Sequence, residues 1–413
     1  MQYRKELFKV LTLAEAKDIL RPYMLPYYER QEEVPLEESW GRKAACDILA
    51  RWDLPHFRKS TVDGLAVRSQ DTFGASESLP AFFINKEEIS MGRTPSKHLG
   101  KGEGMLIPTG GMLPEGSDAV VMIEHIEDFG DSLYGVTQPV APGENLIDIG
   151  EDIAAGKVFI PRFFTIRAQE MGLLAAQGMV KVSVLVRWNI GILSTGDEIV
   201  SPEISPDQAQ TRDINGYTLM GQAIACGCNV KYYGIVRDDE KELRECLQKM
   251  ISENDIIILS GGSSVGTRDL TAGLIQEAGE PGLLFHGLAL RPGKPTIAGV
   301  TQGKVIFGLP GHPASAMIVF DNLIRPLLDD TTQGRLNIPL PEGILTQNIY
   351  SGSGREEFLH VRITPKDSDY LLEPLRGKSG LISTIVEADG LIHVSLDNEG
   401  LEAGKRIKVK MLR

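Results

Sequence analysis

The residues best suited to chemistry in this chain stand where short apolar runs break into glycine. The clearest case is DIIILSGGSSVGTRD, residues 255–269. Ile256 to Leu259 lead into Ser260-Gly261-Gly262-Ser263-Ser264-Val265-Gly266, and Asp269 follows three residues on. A buried strand opening into a glycine-rich loop turns backbone N–H groups toward an anion. Ser263 and Ser264 add hydroxyl donors suited to phosphate oxygens. Glycines also serve tight turns that hold no ligand, so the loop alone is a weak signal. It lacks the Lys-Ser/Thr ending of a Walker A loop and the G-x-G-x-x-G spacing of a dinucleotide loop. Asp269 reads as the N-cap of the helix LTAGLIQEAG, or as a carboxylate holding a divalent cation against bound phosphates; the two readings are compatible.

Other segments add charge. STGDE, Ser194 to Glu198, sets Asp197 and Glu198 at a strand terminus. Solvated acids are the plain reading; convergence with Asp238, Asp239 and Asp269 would make a negative cluster that favours a metal ion. LRPGKPTIAG places Arg291 and Lys294 on a proline-stiffened turn, a bidentate fork and a point charge for an anion. GLPGHPASA is a strand–turn–helix joint through Pro310, with Pro313 suited to the first helical turn; His312 receives no role. RKSTVDGLAVR displays Asp63 and LIPTGG displays Thr109, and taken locally both are hairpin turns.

Lys plus Arg number 43 against 56 Asp plus Glu, a formal charge of −13. Such a chain does not grip nucleic acid or anionic lipid non-specifically, so an anion site must be built locally. Hydrophobic content of 42% and charged content of 24% are those of a globular protein. No apolar run approaches the roughly 20 residues that span a bilayer. The N-terminus lacks a signal-peptide h-region, and the cytoplasm is the expected compartment. Four cysteines make no disulfide framework at this length. Cys226-Gly-Cys228 lacks the partner ligands of a zinc site and reads as packing at a helix–strand junction.

These residues need elements to position them. From about residue 188, apolar runs alternate with helical stretches: strands in WNIGILSTGDE, NVKYYGIVRDD, DIIILSGG and KVIFGLPG, helices in INGYTLMGQAIACG, EKELRECLQKMISEN, LTAGLIQEAG and PASAMIVFDNLIRPLL. The alternation implies right-handed βαβ units and a mostly parallel sheet covered on both faces, with ligands beyond the carboxyl ends of the strands. Residues 51–146 read as a small β domain. Residues 147–180 return to helix, and 329–413 form a second β domain.

Taken together and in order, KSTVDGLAVR, IPTGGMLPEGSDAVVMIE, GEDIAAG, LSTGDEI, IVRDD, LSGGSSVGTRD, RPGKPT, FGLPGHPASA and GKSGLISTIVEADGLI resemble the MoeA-type molybdopterin molybdenumtransferases. That family includes the gephyrin E domain and its plant counterpart. The resemblance implies a multidomain α/β plus β fold. It has a central MogA/MoaB-like three-layer α/β domain with a mostly parallel sheet (181–328), a β lid domain (51–146), a discontinuous helical linking domain (1–50 and 147–180) and a C-terminal β-barrel (329–413). It also implies that the anion is the pyrophosphate of adenylylated molybdopterin, with Mg²⁺ held by Asp269 and Glu198. Molybdate would be inserted into the pterin dithiolene with release of AMP.

In the same terms Asp63, Glu198, Asp238 and Asp269 carry the catalysis. Thr109, Ser194, Gly261, Gly262, Ser264, Gly266, Arg291, Lys294, Pro310, Pro313 and Ser379 line the substrate. The resemblance further implies a homodimer in which one subunit's lid meets the α/β domain of the other, with substrate received from a MogA-like adenylyltransferase. Arg291, His312, Ser263 and the Ser-Thr-Val-Asp-Gly-Leu lid motif depart from the family's usual residues. Two other readings stay open: a non-catalytic pterin-nucleotide-binding or scaffold paralogue, and a tungstate-specific transferase.

Overall fold

The computed structural model describes residues 10–261, 265–329, 340–352, 354–375 and 380–412, with the backbone alone for 265–269. The chain divides into two compact units, Glu33–Val184 and Met1–Glu32 together with Leu185–Arg413.

In Glu33–Val184 the alternating runs of residues 51–146 form a six-stranded sheet. Its order is Ala119–Met122, Gly64–Val67, Glu103–Ile107, Ala81–Glu88, Leu133–Val136, Ile126–Asp128. Every pairing is antiparallel except that of Ala81–Glu88 with Glu103–Ile107. Gly64–Val67 lies inside this sheet and is buried along its whole length. Leu65 and Val67 enter one core with Phe83, Val121 and Val136. Ala66 enters another with Met105, Ile107 and Val120. This two-sided packing brings Val121 so close that a Cβ on Gly64 would lie 1.8 Å from its carbonyl oxygen.

The expected return to helix over 147–180 is realised only at Ala168–Ala176. Before it, Val158–Ile160 pairs antiparallel with Ile48–Leu49. Pro161 then removes a backbone donor where a helix would have needed one. The helix packs into a core of Val34, Ala44, Ile160, Ile166, Leu174 and Val184.

The second unit holds the predicted α/β sheet. Its strands are β1 (Asn189–Thr195), β2 (Asn229–Val236), β3 (Ile256–Gly261), β4 (Pro281–His286), β5 (Ile297–Thr301) and β6 (Lys304–Leu309), in the order β2-β1-β3-β6-β5-β4. β2, β1, β3 and β6 are parallel; β5 and β4 are added antiparallel. The helices are α1 (Asn215–Ala225), α2 (Glu240–Glu253), α3 (Val265–Glu277) and α4 (Pro313–Val319), the last continuing through a π turn and a further helical turn to Leu328. Leu243, Leu247, Met250 and Leu274 of α2 and α3 pack with Leu193 and Ile257 on one face. Alternate residues Ile192, Ile256 and Ile258 turn to the other. α3 starts at Val265, earlier than the sequence pattern suggests, so Asp269 sits inside the helix and is not its N-cap.

The helix Leu13–Met24 is closed by a Thr12–Glu15 capping box and buries Leu13, Ala16, Leu20 and Met24. It packs against β6 and the helical run after α4, in the same unit as the sheet, whereas residues 147–180 belong to the other unit. Beyond the α/β domain, Glu342–Leu345, Glu356–Lys366, Asp369–Pro374, Gly390–Val394 and Arg406–Met411 close into a barrel, since Glu356–Lys366 pairs with both Asp369–Pro374 and Gly390–Val394. A Gly64→Ala substitution forces apart two strands buried on both faces. We expect a loss of about 3 kcal/mol, the upper range for overpacking, measured as a lower urea midpoint.

Candidate functional site

Register carries the site. Ser194 of β1, Ser260 of β3 and Leu309 of β6 lie in one row across the sheet, and Thr195 pairs with Gly261 and with Val236. The four parallel strands therefore end level, and their terminal residues meet at one edge. There a pocket is lined by Thr195, Gly261, Leu309, Pro310, Thr271 and Pro295 among others. Gly261 is required: its φ is +142°, and a Cβ would come within 1.9 Å of the Thr195 carbonyl oxygen.

The acids expected after β1 and β2 gather beside this pocket. Thr195 Oγ1 donates to Asp238 Oδ1 at 2.8 Å. The Asp238 N–H donates to Asp197 Oδ1 at 3.4 Å. Asp197 and Glu198 are exposed on the turn after β1. Burial raises the Asp238 carboxyl above its ordinary range; the Thr195 hydroxyl opposes this, and the charges of Asp197 and Glu198 add to the rise. Asp239 takes no part, because its carboxylate caps α2 by accepting from the Glu242 N–H at 2.9 Å.

Ser194 is fully buried and donates to Asp213 Oδ2 at 2.8 Å. Its hydroxyl proton is thus committed to the interior. Pro310 is buried and Pro313 opens α4 as the first helical residue. Arg291 lies with its Nε 3.4 Å from Glu357 Oε1 of the barrel, and Ser351 Oγ donates to the other oxygen of that carboxylate at 2.6 Å. Lys294 is exposed on the same loop, which is closed by the Thr296 hydroxyl donating to the Gly293 carbonyl at 2.7 Å.

In the Glu33–Val184 unit, Asp63 and Thr109 meet. Asp63 Oδ1 accepts the Thr109 N–H at 2.6 Å and its hydroxyl at 3.1 Å, with both residues exposed. Two turns 46 residues apart thus present one carboxylate–threonine pair. Gly262, Ser264, Ser379 and the Asp269 side chain lie outside the described residues, while Gly266 falls in the first turn of α3. Among the described residues no three His, Cys, Asp or Glu side chains group as a ready metal site. Cys226 and Cys228 are unbridged, and burial pushes the Cys228 thiol up to about 12.

Sequence reasoning missed Asp213, Asn215 and Glu357. The first two stand in RDIN where α1 begins, and there an Asp and an Asn look like ordinary capping residues. Glu357 stands near the start of a strand, in REEFLHVRI, where one acid beside another reads as solvent-facing, and nothing local marks it as buried.

The folded chain holds the Asp238 proton more tightly than the unfolded chain does. Stability attributable to this group therefore falls as pH rises from the ordinary aspartate value, about 3.9, through the raised one. Asp238→Asn should raise the urea midpoint at pH 7, with the gain disappearing below about pH 4.

Three family models match in order: MoeA N-terminal region (domains I and II) over residues 11–178, probable molybdopterin binding domain over 191–330, and MoeA C-terminal region (domain IV) over 342–412. A putative molybdopterin biosynthesis protein of Methanocaldococcus jannaschii is 33% identical over 98% of either chain. A molybdopterin molybdenumtransferase of Bacillus subtilis is 28% identical over 94% of this chain and 92% of its own. The crystal structure of the molybdopterin biosynthesis MoeA protein from Pyrococcus horikosii superposes with a TM-score of 0.82 at 34% identity, covering 98% of this chain and all of that one. With the three regions in sequence and a third of all positions shared from end to end, the chain belongs to the MoeA family.

Proposed function

We propose that this chain is a molybdopterin molybdenumtransferase acting in molybdenum cofactor biosynthesis, inserting molybdate into the dithiolene of adenylylated molybdopterin with release of AMP. The observation that carries the reading is the level end of the four parallel strands. It gathers the acids after β1 and β2, Gly261 at the end of β3 and the proline turn after β6 at one edge, in a chain whose curated relatives bear that enzyme name over most of its length. Those names disfavour the scaffold reading.

The hard carboxylate oxygens at this edge suit magnesium, which takes one or two carboxylates and completes its shell with phosphate oxygens and water. Glu198 and Asp269 would hold it. A bound magnesium supplies charge neutralisation to the pyrophosphate. The chain's own residues do the rest. The glycine-rich loop that the sequence places after Gly261 would offer N–H groups to the phosphates, and Asp238, fixed by Thr195, orients water by accepting its proton in a hydrogen bond. Lys294 and Arg291 raise the local concentration of an oxyanion that a chain of net charge −13 otherwise repels. The Asp63–Thr109 pair offers a second fixed carboxylate, which we assign to the partner subunit's site in a homodimer. Four unbridged cysteines fit a reducing compartment, and a MogA-like adenylyltransferase is the proposed donor of substrate.

Purified protein given adenylylated molybdopterin, magnesium and molybdate should release AMP only when the oxyanion and the divalent metal are both present. Tungstate in place of molybdate separates the two oxyanions, and nucleotide binding without AMP release would reverse the reading. Asp63→Asn keeps the acceptor for Thr109, so its melting temperature should stay within a few degrees of the parent while kcat falls at least about 100-fold. Mixing Asp63→Asn with Asp238→Asn protein should restore part of the activity that neither has alone, as shared sites require.

A further inference from the structure

The segment Asp213-Ile214-Asn215, where α1 begins, is hydrogen-bonded to three of the parallel strands. Asp213, 5% exposed, accepts through Oδ2 from Ser194 of β1 at 2.8 Å and from Tyr232 of β2. Its Oδ1 accepts the Gly216 N–H at 3.1 Å. Asn215, 6% exposed, donates through Nδ2 to Ser260 Oγ of β3 at 2.8 Å, to the Gly311 carbonyl at 2.9 Å and to the Pro310 carbonyl at 3.4 Å. Its Oδ1 has no partner among the described residues. Three acceptors facing one amide nitrogen fix which way this carboxamide points. Through two side chains, one short segment is bonded to β1, β2, β3 and the turn after β6.

We propose that Asp213 and Asn215 are the positioning residues of the strand-end site, with Asn215 setting the distance between the end of β3 and the Pro310-Gly311 turn. The role assigned to that edge rests on the transferase reading; the clamp itself does not. Asn215 acts only as a donor here, so an isosteric acceptor is the discriminating change. An ionised carboxylate would face two carbonyl oxygens and a hydroxyl with no proton to give, whereas a protonated one regains a single donor. The titratable groups around it are Asp213 and Tyr217 on its own segment and helix, Tyr232 on β2, and His312 beside the turn it holds. The wild-type chain at each pH corrects for all four.

The test is hydrogen–deuterium exchange of residues 308–316 in full-length Asn215→Asp, beside steady-state turnover, at pH 8 and pH 5.5. Expected at pH 8 is about tenfold faster exchange than wild type, as for loss of one to two net hydrogen bonds. KM for adenylylated molybdopterin should rise about tenfold with a smaller fall in kcat. Both differences should shrink at pH 5.5. Asn215→Leu, which donates at no pH, should show the exchange defect equally at both. Ser260→Ala, which keeps the carboxamide and removes one acceptor, gives a milder arm with exchange a few-fold faster. Wild-type exchange in Asn215→Asp and Ser260→Ala, or an Asn215→Asp defect identical at the two pH values, overturns the proposal. Absence of turnover in the wild type would sink the transferase reading alone, because the exchange measurement still decides the clamp.

Discussion

The site depends on burial of the parallel strands on both faces. β1, β3 and β6 are buried along nearly their whole length, so chemistry cannot be mounted on their faces and is pushed to their ends. The same burial makes the polar residues nearest those ends demanding, because a buried hydroxyl without a partner costs free energy on the order of 1–3 kcal/mol. Ser194 and Ser260 are such residues, and Asp213 and Asn215 answer them. The level register and the hydrogen bonds beneath it are two consequences of one packing constraint.

Charge is arranged with equal economy. Burial, joined by the charges of Asp197 and Glu198, raises the proton affinity of Asp238, which a protein tolerates where a function requires the charge. Beside the same pocket, two cations sit on a proline-stiffened loop. Arg291 already faces a carboxylate, so its pull on an incoming anion is tempered, while Lys294 stands exposed.

Much of the α/β domain was legible because amphipathic helices and short apolar strands differ in period, and each strand of β1, β2, β3 and β6 ends in glycine, proline or acid. What could not be read was contact across sequence. The pairing of Asp63 with Thr109 arises from the antiparallel ladder of Gly64–Val67 with Glu103–Ile107, and nothing local in either turn reveals it. Asp269 looked like a cap because an Asp at a loop–helix junction usually is one, yet the helix begins at Val265 and takes it inside. The stretch 147–180 looked helical on the strength of AQEMGLLAA, whereas its first half is strand and turn. RDIN resembled ordinary helix punctuation, and only the folded sheet shows how far its side chains reach.

The loop that carries Arg291 is more than tethered to the barrel. Leu290 and Arg291 extend the barrel's own sheet, pairing in parallel with Glu356 and Glu357. The C-terminal domain is thereby an electrostatic component of the α/β domain, contributing one buried carboxylate at a fixed backbone register. In evolutionary terms the two domains cannot drift independently at this seam. A barrel that shifted its strand by one residue would carry Glu356 or Phe358 to that place, leaving the guanidinium with a different neighbour, although every residue of the α/β domain remained unchanged.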